Sequence, residues 1–463
     1  MATTERASSF SLDVEKRSIA TAFGEYIGRL RTGEPGALPS ILGLIVLMFI
    51  FSRLSAHFLT DFNIGNLPGQ GAYIAVIGLG LVFVLLLGEI DLSAGTTGGM
   101  AAAFAAQAVF SGNLRHAIPG YTYWGLVVGM VVAIALAVWL KSYVGGVVVL
   151  VGLALVLFNW DTSVAAATYL VIAIGTTVGI VTGFLVAKIG IPSFVVTLGL
   201  FLAWQGVLLF AVNSQPISFQ NYNFWTGLTS NNLSVAGSWT FTLVLLGGYA
   251  AYSIWRSISG ARAGLAHDVM GLVLLRVGVL TLLGVGLTVF ANRDRAQNRF
   301  VTIQGIPYAA AICIVLMVAC TILLTKTTWG RHLYATGGNA EAARRAGIDV
   351  VRVKVDAFAL CSSFGAFGGL LLASTSAGVT LDLGGGNTLL FAVAAAVIGG
   401  TSLFGGRGRP RDAIIGALVI TIIPNGLGLR PNTPAQLNQV ITGGVLLLAA
   451  AVDAISRRRA AKS

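Results

Sequence analysis

The chain has 463 residues, 56% of them apolar and 10% charged, with a formal net charge of +12. A water-soluble domain carries about 25% charged residues, so an ordinary soluble enzyme is excluded, and the apolar content excludes a fibrous or disordered chain. What remains is an all-α fold, a polytopic membrane helical bundle. Basic loops on one side of the bilayer, not a nucleic-acid partner, account for the charge.

The first 36 residues are polar and basic (Arg6, Lys16, Arg17, Arg29, Arg31) and read as a cytoplasmic tail without a cleavable signal. Apolar runs near the roughly 20 residues that a spanning helix needs follow at 37–56, 69–88, 94–111, 123–140, 143–159, 165–187, 191–212, 238–256, 269–290, 306–325, 356–374, 388–404, 412–430 and 436–453. These fourteen candidates predict ten to fourteen crossings, some of them broken or re-entrant, within one transmembrane domain over 37–455. A polar loop at 326–355 interrupts that domain, and a basic cytoplasmic tail, 456–463, follows it. With both termini cytoplasmic and every run crossing, Arg53, Arg115, Arg293, Arg295, Arg299 and Arg430 fall outside and Arg276 falls within a span. All other Lys and Arg fall inside, as the positive-inside rule requires. The uncharged stretch 213–238 is then expected to be an external loop.

Trp124, Trp139, Trp160, Trp239, Trp255 and Trp329 lie at or near span ends, where amphipathic rings meet the headgroups. Glycines four apart (Gly175, Gly179 and Gly183; Gly125 and Gly129; Gly365 and Gly369) predict flat stripes for close helix approach. Cys313, Cys320 and Cys361 lie in apolar runs and read as small core residues.

Two segments stand out from the hydrocarbon. In 88–95, Glu89 and Asp91 are two residues apart, about 200° on an unbroken helix, so they could not share one cavity. A helix break would remove that obstacle, with Asp91 or Ser93 accepting from the free N–H groups of a helix starting near Ala94 and Gly95. A plain cytoplasmic turn is the other reading. In 334–348, Asn339 suits an N-cap, Glu341 complements the dipole of the first turn, and Gly347 ends the helix. The result is a two-turn helix standing alone in a basic loop. It is too short to be stable by itself, and either docks on a partner or lies on anionic lipid.

The chain has no P-loop signature, no His–Cys–carboxylate set with metal-ligand spacing and no spacing that suggests a catalytic triad. No cofactor, metal or catalytic residue is therefore expected.

Glu89-Ile90-Asp91-Leu92-Ser93 followed by Gly95 resembles the signature of permease subunits from bacterial sugar importers of the ATP-binding cassette class. The run Gly337-Gly338-Asn339-Ala340-Glu341-Ala342-Ala343-Arg344, with Gly347-Ile348, is similar to their cytoplasmic coupling loop. Val397 to Gly406 with Asn425-Gly426-Leu427, and Pro192 to Leu198, are further matches, in family order from about 65 to 455. Glu89 tilts the resemblance toward xylose-type members; Ala94 and Thr96 depart mildly from the pattern.

The resemblance implies a permease, not an enzyme, in the bacterial inner membrane, working with a second copy of itself, a cytoplasmic ATPase and an extracytoplasmic sugar-binding protein. It implies a translocation pathway for a monosaccharide, a pentose such as xylose, with Glu89, Asp91, Ser93, Gly95, Thr401 and Asn425 as candidate residues. Gly338, Asn339, Glu341, Ala342, Ala343, Arg344, Arg345 and Gly347 would form the loop that seats on the ATPase. An ion-gradient-driven secondary transporter and a polytopic membrane enzyme are the rivals from other classes. Nucleoside and branched-chain amino acid permeases share the plan, but the two signature segments favour sugars.

Overall fold

The computed structural model describes residues 38–219, 223–263, 269–298 and 300–430, with Gly28 and isolated positions between 434 and 447. The terminal tails and most of the fourteenth apolar run, 436–453, lie outside the described residues. Each of the other thirteen runs is matched by a helix: α1 Leu38–Leu54, α2 Asp61–Leu86, α3 Ala94–Ser111, α5 Gly120–Trp139, α6 Tyr143–Leu157, α7 Val164–Phe184 and α8 Ser193–Ala211 come first. After them come α10 Val235–Arg262, α11 Met270–Ala291, α12 Tyr308–Lys326, α15 Val350–Thr375, α16 Thr388–Gly399 and α17 Pro410–Gly428. Short helices α4 Leu114–Ala117, α9 Asn223–Ser230, α13 Thr328–Gly338 and α14 Ala340–Arg345 lie between them. Eight of the long helices are apolar enough to cross a membrane, and the molecule is an integral, multi-pass membrane protein.

By packing, the described residues form two compact units. One is Asn232–Ile306; the other takes the chain on either side of that insertion. In the inserted unit α10 and α11 pair, and the hydroxyls of Thr242 and Thr288 lie 2.6 Å apart between them. Asp294 pins the following loop by accepting from the N–H groups of Ala296 and Ile303, at 3.1 and 3.0 Å. Those two bonds hold its carboxyl below the usual carboxylate range.

In the larger unit α15 is the central helix, packed chiefly against α7, α2 and α3. The glycine stripes explain how it fits. A Cβ on Gly175 or Gly179 would come within 2.5 Å of the Ser362 carbonyl oxygen or 2.3 Å of the Phe358 one. On the other side Gly365 and Gly369 meet α3, where a Cβ on Gly369 would lie 2.2 Å from the Gly98 carbonyl carbon. The third predicted stripe is corrected: Gly125 has nothing within 4 Å and Gly129 only a methyl at 4.0 Å. The buried face of α5 is instead Tyr123, Val127, Met130, Ala133 and Ala137, so that glycine pair faces outward. Cys313, Cys320 and Cys361 are buried free thiols, as expected.

Two irregular stretches differ from the predicted pattern. The 213–238 region is not simply a loop: it contains β1 Ile217–Ser218, paired antiparallel with β2 Gly378–Val379, and also α9. Burying Trp225, whose Nε1 donates to Thr168 Oγ1 at 3.0 Å, fixes α9. The apolar run 388–404 does not form one spanning helix either. Its helix, α16, has twelve residues, about 18 Å long against a hydrocarbon core of about 30 Å. Gly400, at φ +118°, stops it. Before α16, residues 380–387 are irregular and lie against α3, so the chain turns back into the bundle as a loop followed by a half-helix.

Candidate functional site

Helix α2 ends at Leu86, where the N–H groups of Leu87, Gly88 and Glu89 turn back onto the carbonyls of Val84 and Leu85. Gly88, at φ +74°, lets the chain reverse. The predicted interruption is present, but the expectation that it lets the two carboxylates share a cavity is corrected: they go to different surroundings. Glu89 pairs with Lys354 Nζ at 2.6 Å near the surface. Asp91 is fully buried. Its Oδ1 accepts from Ser93 N at 2.9 Å and from Ser93 Oγ at 2.7 Å, and its Oδ2 from Ser362 Oγ at 3.3 Å.

Of the two residues expected to accept an N–H at the start of the next helix, Asp91 does so, from Ser93 N, and Ser93 does not. Ser93 already has helical dihedrals (φ −91°, ψ −8°) and makes no side-chain cap to α3. Its hydroxyl instead donates back to Asp91. Gly95, in the first turn of α3, is passed closely by the backbone of Gly384.

The other motif segments assemble around this turn. Ser193 Oγ accepts from Ile90 N at 3.2 Å, and Thr197 Oγ1 donates to the Ile90 carbonyl at 3.3 Å, so the start of α8 brackets the loop. From the opposite side Gly406 N donates to the Leu86 carbonyl at 2.8 Å. Gly337 fits against that same oxygen, which a Cβ there would approach to 1.9 Å. The Tyr334 hydroxyl donates to the Gly408 carbonyl at 2.7 Å; burial raises this phenol above its ordinary value, so it remains a donor.

Beyond Gly338 the short helix forms as its residues predict. Asn339 Oδ1 accepts from Ala342 N at 2.9 Å, and Gly347 turns at φ +84°. Ala343 is buried, while Glu341, Arg344 and Arg345 point out. Glu341 bridges both arginines, at 2.8 and 3.2 Å, and all three side chains are more than half exposed. Ala342 is exposed beside them. The helix does not stand alone, however: α13 immediately precedes it and buries Gly330, Leu333 and Thr336.

Of the remaining candidates, Thr401 lies against Gly408 at the edge of this junction, and Asn425 lies on α17. Thr401 is buried at the approach to α17, with its hydroxyl 3.5 Å from Asp412 Oδ2. Asn425, on α17, exchanges two 2.9 Å hydrogen bonds with Asn63 and donates to Gln70. Sequence reasoning missed the irregular segment 380–387; the run Gly384-Gly385-Gly386 just before a short apolar stretch was the available signal. Among the described residues no group of three or more His, Cys, Asp or Glu side chains could hold a metal ion.

Residues 141–450 match the family model described as branched-chain amino acid transport system / permease component. The chain belongs to this permease family. The permease is 30% identical over 428 residues to the xylose transport system permease protein XylH of Haemophilus influenzae, covering 90% of this chain and 96% of that one. It is 28% identical over 423 residues to XylH of Escherichia coli K12, with coverages of 90% and 92%. To the ribose import permease protein RbsC of the same strain it is 26% identical over 414 residues, with coverages of 89% and 92%. No solved structure matches the permease.

Proposed function

We propose that this permease forms the translocation pathway of an ATP-driven importer for a monosaccharide, with a pentose such as xylose as its substrate. It works with a cytoplasmic cassette ATPase, an extracytoplasmic sugar-binding protein and a second copy of itself in a bacterial inner membrane. Similarity over nine-tenths of the chain to xylose and ribose permeases supports the substrate class. The charge distribution supports cytoplasmic termini and a cytoplasmic 326–355 loop.

One observation carries the ATP-coupled reading. The helix that presents Glu341, Arg344 and Arg345 to solvent is joined to α13 by the single extended residue Asn339, and α13 packs on the Leu86 carbonyl at the turn that positions α3. A push on α14 is thereby delivered to the turn between α2 and α3 and, through Ile90, to the start of α8. The chain does no chemistry on the sugar. It supplies a path and a lever, and candidates for that path include Glu89, Asp91, Ser93 and Gly95 at this turn, with Thr401 beside Gly408 and Asn425 on α17.

The test is sugar-stimulated ATP hydrolysis by the assembled importer. Arg344→Glu, which reverses an exposed charge and breaks its pair with Glu341, is expected to abolish the stimulation while leaving membrane insertion intact. Glu341→Ala is expected to do the same. Full stimulation in both variants would contradict the proposed role of α14.

A further inference from the structure

The irregular segment 380–387 borders a cavity of about 360 Å³, within the roughly 300–1,000 Å³ of small-molecule sites. Its backbone is held against α3, where a Cβ on Gly99 would come within 1.8 Å of the Leu383 carbonyl oxygen. Non-helical backbone at membrane depth is tolerated only where protein buries it or where it lines a water-filled space. The cavity is the open space that this segment lines.

Two aromatic rings, Tyr73 of α2 and Phe391 of α16, share its wall with Thr380, Asp382, Asn387 and Thr388. The combination matches the chemistry of a sugar. A pyranose has apolar C–H faces suited to aromatic rings and a rim of hydroxyls that can donate to a carboxylate or exchange hydrogen bonds with an amide and hydroxyls. Among the described residues Asp382 is the lining carboxylate and there is no lining Lys or Arg, an arrangement that disfavours anionic solutes. None of the pathway candidates at 89–95, 401 or 425 lies on this wall.

We propose that this cavity is a binding station for an uncharged monosaccharide on its way through the permease, with the rings of Tyr73 and Phe391 against the sugar faces and Asp382, Asn387 and Thr388 taking its hydroxyls. The proposal rests on the sugar-permease reading above. It adds a place and a set of contacts to that reading.

The test uses the full importer, permease with ATPase and sugar-binding protein, in proteoliposomes, with D-xylose as probe. The native thiols are buried, so Asn387→Cys provides a distinct target for a charged methanethiosulfonate. Modification is expected to stop ATP-driven D-xylose uptake. D-xylose is expected to slow that modification, read as a mass shift independently of the variant's own transport rate. Tyr73→Ala is expected to lower uptake roughly tenfold at unchanged permease level in the membrane, and Tyr73→Phe, which keeps the ring, to retain several times more than Tyr73→Ala. A modified Asn387→Cys importer that takes up D-xylose at its unmodified rate, or a reagent that fails to reach position 387, would overturn the proposal. A wild-type importer that moves no D-xylose with ATP would instead overturn the sugar reading itself.

Discussion

Two aspartates show how burial decides what a carboxylate does. Asp161, in the turn between α6 and α7, is fully buried, and neither of its oxygens has a hydrogen-bond partner among the described residues. Burial pushes its carboxyl up to about 6 from an ordinary value of 3.8. The folded state therefore favours the protonated form. This contribution is fully present below pH 3.8, is lost as pH rises to about 6, and is absent above that. Asp161→Asn is expected to melt at a higher temperature than wild type at pH 7.5, by the equivalent of up to about 2–3 kcal/mol, and at nearly the same temperature at pH 4. An equal offset at both pH values would contradict this account. Asp91 is the opposite case, a buried carboxylate that accepts from Ser93 and Ser362. Asp91→Ala strands those donors and should cost about 2–4 kcal/mol, whereas Asp91→Asn, which keeps an acceptor, should cost less. Thermal unfolding in detergent measures both.

At the scale of elements, stability rests on backbones brought close by glycine. Gly369→Val would drive a side chain into the backbone of α3 at Gly98 and is expected to abolish a cooperative melt or sharply lower its midpoint. Gly125→Val, on the outward face of α5, is expected to leave the midpoint within about 0.5 kcal/mol of wild type. Equal tolerance at the two positions would show that the α3–α15 approach is unimportant. The pair also marks the limit of what the sequence discloses. Span positions were legible because about 20 apolar residues are needed wherever a helix crosses lipid, and thirteen of the runs became helices. Facing was not legible, because lipid and protein interior are both apolar: Gly125–Gly129 and Gly365–Gly369 look the same in sequence and point to different surroundings. For the same reason 388–404 reads as a span although its helix is a half-length one. The ends of α14 were legible because Asn339 and Gly347 act locally. The helix α13 directly before it was not, since Thr328–Gly338 is too polar and short to give an apolar signal. At the candidate site the break itself was legible from helix geometry, but the separation of Glu89 from Asp91 was not, because Lys354 and Ser362, like Ser193, Thr197 and Gly406 at the turn, belong to segments far apart in the chain.

At the scale of the whole molecule, the proposed function makes the chain a conduit and the exposed helix α14 its lever, linked through Gly337, Gly406 and Ile90 to the turn between α2 and α3. Under that proposal the work is supplied by another subunit. Reconstitution of the purified permease into liposomes, with and without its ATPase, sugar-binding protein and ATP, tests that claim most directly. Accumulation of D-xylose against its gradient is predicted only with all components present, and is predicted to be lost in Arg344→Glu. Accumulation by the permease alone, or driven by an ion gradient without ATP, would contradict the account.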